Sequence, residues 1–154
     1  MVTLLAAAFA LYTYAWLPYR ANHVLFDVGQ RTEAAEPADL LKGMSVARTN
    51  LALLDSVAAV GRTDVNYHML YAANARLLRR PDIARRHYDT ALTIERRPEI
   101  YLQRGFNTLE SGNLDGAMPD FIRAVRFNRA MLDQLGGHLG QRVEYEAGYR
   151  AGFE

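Results

Sequence analysis

Metal chemistry in this sequence would depend on histidine, because the chain contains no cysteine. The four histidines, His23, His68, His87 and His138, lie far apart, and no two of them have the four-residue spacing that places two zinc ligands on one face of a helix. The missing cysteine also removes disulfides and thiol nucleophiles. The sequence therefore predicts no metal site.

No motif typical of an enzyme occurs in the sequence. There is no Gly-x-Ser-x-Gly elbow, and the acidic residues show no paired arrangement suited to general acid–base catalysis. The glycine-rich stretch at residues 136–140 is not preceded by a strand pattern and not followed by a Lys-Ser or Lys-Thr pair, so we expect no phosphate loop there. We therefore expect a protein that is not an enzyme and binds no cofactor.

Basic residues are nearly all arginine, and Lys42 is the single lysine, a bias typical of a GC-rich bacterial genome. Residues 62–129 contain twelve arginines and eight acidic residues. They include three doublets: Arg79/Arg80, Arg85/Arg86 and Arg96/Arg97. Because acidic residues lie between them and the formal net charge is only +1, we interpret the arginines as a solvated, partly ion-paired edge. Contact with anionic lipid headgroups is the alternative, and we expect no nucleic acid partner.

An uncharged segment at residues 2–17 predicts attachment to a membrane. A helix over residues 1–19 would be about 28 Å long, close to the roughly 30 Å hydrocarbon thickness of a bilayer. Aromatic residues crowd its second half, where their rings favour the headgroup level. We therefore expect a transmembrane or signal-anchor helix over residues 1–19. Its anchoring side chains are Leu4, Leu5, Phe9, Leu11, Tyr12, Trp16 and Tyr19.

Two other interpretations of this segment stay open: a cleaved signal peptide and a buried core helix. No Lys or Arg precedes the apolar run, and residues 14–20 make a poor cleavage site, which disfavours the signal peptide. Arg20 and Arg31 favour a cytoplasmic domain by the positive-inside rule, whereas an uncleaved export signal would place the domain in the periplasm. We expect a single-pass protein of a bacterial inner membrane, with the periplasmic orientation slightly favoured.

The rest of the sequence predicts an all-α fold. Residues 20–37 mix a short apolar patch with charges and are interpreted as a juxtamembrane helix or linker. In residues 38–60 apolar side chains recur at steps of three and four, the spacing of one helical face. Gly61 then supplies a stop, and Thr63 or Asp64 a new N-cap. No alternating strand pattern follows.

Four small or aromatic positions recur after thirty-three residues, a typical length for a helical-hairpin repeat. Ala72, Ala84, Tyr88 and Ala91 return as Gly105, Ala117, Phe121 and Ala124. This pattern resembles the tetratricopeptide repeat (TPR), in which small residues let two helices approach closely while the aromatic fills the space between hairpins. The resemblance covers about 65 residues, with copies at about residues 66–96 and 99–129.

Two repeats alone rarely bury enough surface, because such arrays usually contain three or more units or dedicated caps. We expect the helix at residues 38–60 to be the N-terminal cap and the segment 130–150 the C-terminal cap, so that residues 38–154 form one TPR-like domain. The sequence departs from the family at Arg129, where the repeat has proline. It also has Pro119 inside the second helix of the better copy, where proline should bend or delay that helix.

The resemblance implies a binding surface, because the first helix of each TPR hairpin lines a groove that holds a partner segment. The candidate partner-binding residues in this groove are Asn66, Met69, Arg76, Gln103, Phe106 and Glu110. The Lys/Asn/Arg set with which some relatives bind a terminal carboxylate is missing, since Met69 and Ala73 occupy two of its positions. A more apolar partner is therefore expected.

Anchor and groove together indicate a non-catalytic protein–protein interaction module. We expect an adaptor, scaffold or accessory subunit of a bacterial inner-membrane complex, whose partners are other membrane protein subunits and the lipid bilayer. One alternative is a regulatory component of a cell-envelope polysaccharide polymerase or ligase system. Another is a secreted periplasmic TPR module.

Overall fold

The computed structural model describes residues 2–34 and 40–148 of the chain, and every regular element within these ranges is helical. The prediction of an all-α chain is therefore confirmed for the described ranges. The elements are α1 (Val2–Leu11), a π-helical segment (Tyr12–Trp16), α2 (Leu17–Glu33), α3 (Leu40–Ser56), α4 (Ala58–Gly61), α5 (Val65–Leu77), α6 (Pro81–Ile94), α7 (Pro98–Glu110), α8 (Leu114–Phe127), a 3-10 segment (Arg129–Gln134) and α9 (Gly137–Glu146). The chain divides into two compact units, Met1–Arg80 and Pro81–Glu154.

Helix α1, the π-helical segment and α2 follow one another without leaving helical backbone geometry. Leu11, Trp16 and Leu17, at the two junctions, all have right-handed helical φ and ψ angles. Pro18 lies in the first turn of α2 and has no N–H to donate to the preceding turn, and the wider π-helical segment lies directly before α2. Within the described residues, no helix combines the length and the apolar character that crossing a membrane requires.

Helix α2 contributes to the hydrophobic core of the first unit. Its residues Ala21 and Val28 are buried and belong to one cluster with Ala47 of α3 and Tyr67 of α5. The segment 20–37, interpreted from the sequence as a juxtamembrane helix or linker, is therefore mostly a helix that packs into the unit. Its last three residues lie outside the described ranges.

A buried polar network joins α2, α3 and α5 inside this unit. The side-chain amides of Asn50 and Asn74 both donate to Thr32 Oγ1, at 3.2 and 3.1 Å, and Asn50 Nδ2 also donates to Asn74 Oδ1 at 3.0 Å. Asn74 Nδ2 donates in addition to the Leu70 carbonyl at 2.8 Å. Both asparagines are fully buried, so these hydrogen bonds replace contacts with water and link the three helices at one level.

The beginning of α5 is capped as the sequence predicts. Helix α4 ends at Gly61, and the Asp64 carboxylate accepts hydrogen bonds from the backbone N–H groups of Asn66 at 2.7 Å and Tyr67 at 3.3 Å. Asp64 is therefore the N-cap, and it satisfies two of the amides that have no partner inside the helix.

In the second unit, α7 and α8 pack together as a helical hairpin, and α6 packs on α7. Gly105 of α7 lies directly against the ring of Phe121 of α8, because a β-carbon added at residue 105 would come within 2.6 Å of that ring. Ala117, Phe121 and Ala124 are fully buried. The small and aromatic positions of the second sequence repeat therefore form the closest part of this hairpin.

Helix α8 contains Pro119 without being delayed by it. The Asn113 side chain caps the helix by accepting from the Gly116 N–H at 2.8 Å, and α8 runs from Leu114 through Pro119 to Phe127. Of the two effects predicted for Pro119, a bend or a delay of the helix, the delay does not occur, because the cap starts the helix more than one turn earlier.

The C-terminal segment completes the core of the second unit. The 3-10 segment brings Met131, and α9 brings Val143, into the hydrophobic cluster that contains Tyr101. Leu135, between these two elements, is buried in the same cluster. The segment 130–150 thus packs on the hairpin as far as the described residues extend.

Candidate partner-binding surfaces

Three of the predicted groove residues lie on α5, in the first unit. Asn66, Met69 and Arg76 are separated by three and seven residues, so they share one face of the helix. Asn66 is exposed, whereas Met69 and Arg76 are half-buried. The first unit therefore brings these three side chains together on one side of α5.

The other three predicted groove residues lie on α7, in the second unit. Gln103, Phe106 and Glu110 also share one helical face; Glu110 is exposed, and Gln103 and Phe106 are half-buried. The Phe106 ring packs edge-on against Phe121 with ring centroids 5.2 Å apart, so it borders the core. Because α5 and α7 belong to different units, a groove that joins the two sets stays a prediction.

The predicted anchor residues lie on α1, the π-helical segment and the start of α2. Six of them are exposed: Leu5, Phe9, Leu11, Tyr12, Trp16 and Tyr19. The Leu4 side chain lies outside the described part of the chain. The polar side chain of Thr13 is satisfied inside the helix, because its hydroxyl donates to the Phe9 carbonyl at 2.9 Å and contacts the Ala10 carbonyl at 3.2 Å. This segment therefore presents apolar and aromatic surface with little polar interruption.

A pocket of about 840 Å³ opens in the second unit, where the end of α6 meets α7 and α8. Its lining combines arginine with aromatic and aliphatic side chains: Leu92, Thr93, Ile94, Arg96, Tyr101, Arg104, Arg123 and Phe127. The rings of Tyr101 and Phe127 are stacked, with centroids 5.9 Å apart and planes 18° from parallel. No acidic residue is among these lining residues.

Arg104 is the best-paired cation of this pocket. Its Nε and one terminal nitrogen donate to the two carboxylate oxygens of Asp120 at 2.8 and 2.6 Å, and the other terminal nitrogen donates to Asp89 at 2.6 Å. These hydrogen bonds, first to Asp120 and then to Asp89, raise the pKa of Arg104 above its ordinary value although burial opposes them. Arg104 therefore ties α6, α7 and α8 together and is already neutralised.

Arg96 and Arg123, at the mouth of the pocket, are not bound to carboxylates as Arg104 is. Both are exposed, and in the described part of the chain neither lies within ion-pair distance of a carboxylate. The Arg123 guanidinium lies over the Tyr101 ring at 5.3 Å from its centroid, a cation–π arrangement that holds the side chain in place. The pocket thus has a neutralised floor and two cations at its rim.

From the sequence, the arginines are interpreted as a partly ion-paired edge. That interpretation does not predict a pocket lined by three of them. Arg104 and Asp120 have side-chain exposures of 20% and 11%, so their pair is mostly buried. The repeat itself carried the signal: Arg104 precedes Gly105, Asp120 precedes Phe121, and Gly105 and Phe121 are in contact. Opposite charges next to two contacting repeat positions would have predicted the pair.

Neither a metal nor a known relative assigns a chemistry to these surfaces. Among the residues that the structure describes, no group of three His, Asp or Glu side chains is placed to hold a metal ion. Comparisons of the chain with protein-family models, with curated proteins and with solved structures find no match. The resemblance to the TPR family therefore depends on the repeated positions and their packing.

Proposed function

We propose that this protein is a non-catalytic protein–protein interaction module held at a membrane, an adaptor or accessory subunit of a bacterial inner-membrane complex. The observation that carries the proposal is the contrast within the N-terminal helical run. Its first part, α1 and the π-helical segment, exposes large apolar side chains, while α2 packs into the first unit through Ala21 and Val28. One continuous helical run thus joins an apolar segment to a folded unit.

The apolar side chains of α1 do not form a single stripe. Leu5 and Phe9, four residues apart, lie on one side, and Leu11 lies about 200° around the helix from Phe9. All three are at least 65% exposed. A helix that is apolar on every side needs an apolar environment all around it, whereas a helix lying flat on a membrane keeps a polar face. This pattern supports insertion into the bilayer, and single-pass anchoring with a periplasmic domain is our finer proposal.

Packing at the repeated positions supports a TPR-like interaction domain. Ala84, Tyr88 and Ala91 of the first copy are fully buried, as are Ala117, Phe121 and Ala124 of the second. Equal burial at equivalent positions is what stacked helical hairpins require. In this proposal the six groove residues on α5 and α7 contact the partner.

Membrane attachment is tested with two paired-charge variants of the full chain. The Leu5→Arg/Phe9→Arg double variant should move the protein from the carbonate-resistant membrane fraction to the supernatant, because two charges in the hydrocarbon region cost several kcal/mol. The control, Leu40→Arg/Leu41→Arg, changes two residues that are 55% and 80% exposed outside the anchor and should leave the protein in the membrane. Retention of the first variant, or loss of the unaltered chain on carbonate washing, would contradict the proposal.

Orientation and partner binding need separate measurements. Protease digestion of spheroplasts should cut the helical domain if it is periplasmic, and protection until lysis would show the opposite orientation. Extraction in mild detergent followed by sizing should give a complex with a copurifying membrane protein. A monodisperse monomer would contradict the adaptor role even if the anchor were established.

A further inference from the structure

The pocket in the second unit has an uncompensated positive charge. Its three arginines, Arg96, Arg104 and Arg123, contribute three positive charges, and Asp89 and Asp120, both bound to Arg104, contribute two negative charges. The two rim arginines carry two positive charges, and Arg104 with Asp89 and Asp120 carries one negative charge, so these five side chains sum to one positive charge. Arg85 also lies 4.0 Å from Asp89, which adds to the positive side. A negatively charged ligand is therefore favoured at the rim.

Apolar surface lies beside these cations. Ile94 and Phe127 line the same pocket and are 42% and 57% exposed, which is high for large apolar side chains. Covering them stabilises a complex by roughly 25 cal/mol per Å² of apolar area removed from water. A small inorganic anion cannot cover them, but an anionic side chain with an apolar neighbour can.

We propose that this pocket binds a partner protein segment that carries one Asp or Glu next to a large apolar side chain. The carboxylate contacts Arg96 and Arg123, and the apolar neighbour packs on Ile94 and Phe127. This inference depends on the proposed interaction role of the helical domain and not on membrane attachment.

Arg123 is suited to this task by its position over Tyr101. The guanidinium carbon of Arg123 lies 5.3 Å from the centroid of the Tyr101 ring, a contact that uses the face of the ring and leaves the N–H groups of the guanidinium able to donate. A carboxylate can accept two of them side by side, as Asp120 does from Arg104 on the floor of the same pocket. Little side-chain entropy is then lost when the ligand binds, because the ring already restricts the arginine.

The pocket lies on the side of α7 opposite to the predicted groove. At 100° per residue, Tyr101 and Arg104 are centred about 160° from the centre of Gln103, Phe106 and Glu110. The groove lacks the Lys/Asn/Arg set that binds a terminal carboxylate in some TPR proteins, but this absence does not bear on which ligands the pocket binds. In this proposal the pocket binds the acidic side chain of the partner, and the predicted groove is a separate surface.

The test uses the full chain, labelled uniformly with ¹⁵N so that both the backbone amides and the arginine side chains are observed, in micelles of an uncharged or zwitterionic detergent. The probes are an acetylated and amidated leucyl-glutamyl-phenylalanine tripeptide, the same tripeptide with glutamine in place of glutamate, and inorganic phosphate. The glutamate tripeptide should shift the Nε–Hε signals of Arg96 and Arg123 and should bind about tenfold more tightly than the glutamine tripeptide.

Two variants and a matched control locate the binding. Arg96→Gln and Arg123→Gln should each weaken the glutamate tripeptide by about fivefold to tenfold. Arg86→Gln removes an exposed arginine of the same unit that does not line the pocket and should leave the affinity unchanged. If all three variants weakened binding equally, the loss would reflect the net charge of the protein and not contacts in the pocket, and the proposal would be overturned.

The remaining outcomes separate this proposal from the broader one. Shifts at Gln103, Phe106 and Glu110 without shifts at the pocket arginines would overturn the pocket while supporting the interaction role. Equal affinity for phosphate and for the glutamate tripeptide would overturn a peptide ligand in favour of a free anion. If none of the three probes bound to the pocket, the proposal would also be overturned, whereas copurification of a membrane partner would still support the adaptor role.

Discussion

One methyl group at residue 105 tests how closely α7 and α8 approach. In the Gly105→Ala variant the β-carbon would lie 2.6 Å from Cε1 and 2.8 Å from Cδ1 of Phe121. Carbon–carbon contacts are normally about 3.5–4.0 Å, so the ring has to move by about 0.9 Å. Phe121 is fully buried and its ring packs edge-on against Phe106. The movement therefore displaces a second ring.

Two opposing effects set the size of the change. Overpacking of a buried site costs about 1–3 kcal/mol, and the upper end applies here because two rings must shift. Replacing glycine by alanine inside a helix returns about 1 kcal/mol. The Gly105→Ala variant should therefore lose about 2 kcal/mol of unfolding free energy. In the control, Gly43→Ala of α3, no atom lies within 4 Å of the new β-carbon, so the variant should gain about 0.5–1 kcal/mol.

Hydrogen–deuterium exchange of the full chain in mild detergent measures both variants, because it reports opening helix by helix. A loss of 2 kcal/mol corresponds to about thirtyfold faster exchange of the α7 and α8 amides, since 1.36 kcal/mol is a factor of ten. Adding Phe121→Leu to Gly105→Ala should cost less than the sum of the single changes, because the clash disappears with the ring. If Gly105→Ala slowed exchange as Gly43→Ala does, the close approach of the two helices would be refuted.

Three further predictions concern the polar groups of the two units. Arg104→Met should lower the unfolding free energy, measured by urea unfolding, by about 2–4 kcal/mol, because it leaves the mostly buried Asp120 carboxylate without its cation. Adding Asp120→Leu to Arg104→Met should recover at least about 1 kcal/mol of that loss. Asn74→Leu should cost about 1–3 kcal/mol, because it removes three side-chain hydrogen bonds and takes away one of the two acceptors of the buried Asn50 amide. Asn50→Leu should cost less in the same measurement, because it removes two hydrogen bonds together with Asn50 Oδ1, which accepts none in the described part of the chain. Burial, and then a neighbouring carboxylate, raise the pKa of Tyr71 above 10.0. Unfolding therefore favours loss of its proton, stability should fall as the pH rises beyond 10.0 towards the folded pKa, and Tyr71→Phe should make the fall shallower.

Each of these predictions has a specific contradicting result. An Arg104→Met variant as stable as the unaltered chain would show that the ion pair contributes nothing. Asn50→Leu costing more than Asn74→Leu would reverse the assigned roles of the two amides. An identical alkaline unfolding curve for Tyr71→Phe would remove Tyr71 from the pH dependence.

Local sequence signals predicted the helical elements well because they act within a few residues. Asp64 caps α5 as predicted, since a cap needs only a side-chain oxygen next to the first free N–H groups. The small and aromatic positions Gly105 and Phe121 also meet in the structure. The predicted delay of α8 at Pro119 does not occur, because the cap at Asn113 fixes the start of the helix before the proline is reached.

Features that depend on distant residues were harder to predict. Ala21 and Val28 have helical spacing, yet the charges around them left segment 20–37 open as a juxtamembrane helix or a linker. Only the structure shows that this face packs against α3 and α5. The pair of Arg104 and Asp120 spans sixteen residues and needs the hairpin geometry to be seen. The pocket needs a third helix as well.

Helix α7 explains why the two binding proposals can succeed or fail separately. Arg104 faces the pocket and takes its charge partners from α6 and α8, whereas Gln103 and Glu110 lie on the opposite side of the same helix. A substitution at Gln103 leaves the hydrogen bonds of Arg104 in place, and a substitution at Arg123 leaves the opposite face unchanged. Because the core around Phe121 holds α7 in a fixed position, both faces are presented without either having to form on binding. Two partners bound to opposite faces of α7 would therefore not compete with each other, which is what the proposed adaptor role requires.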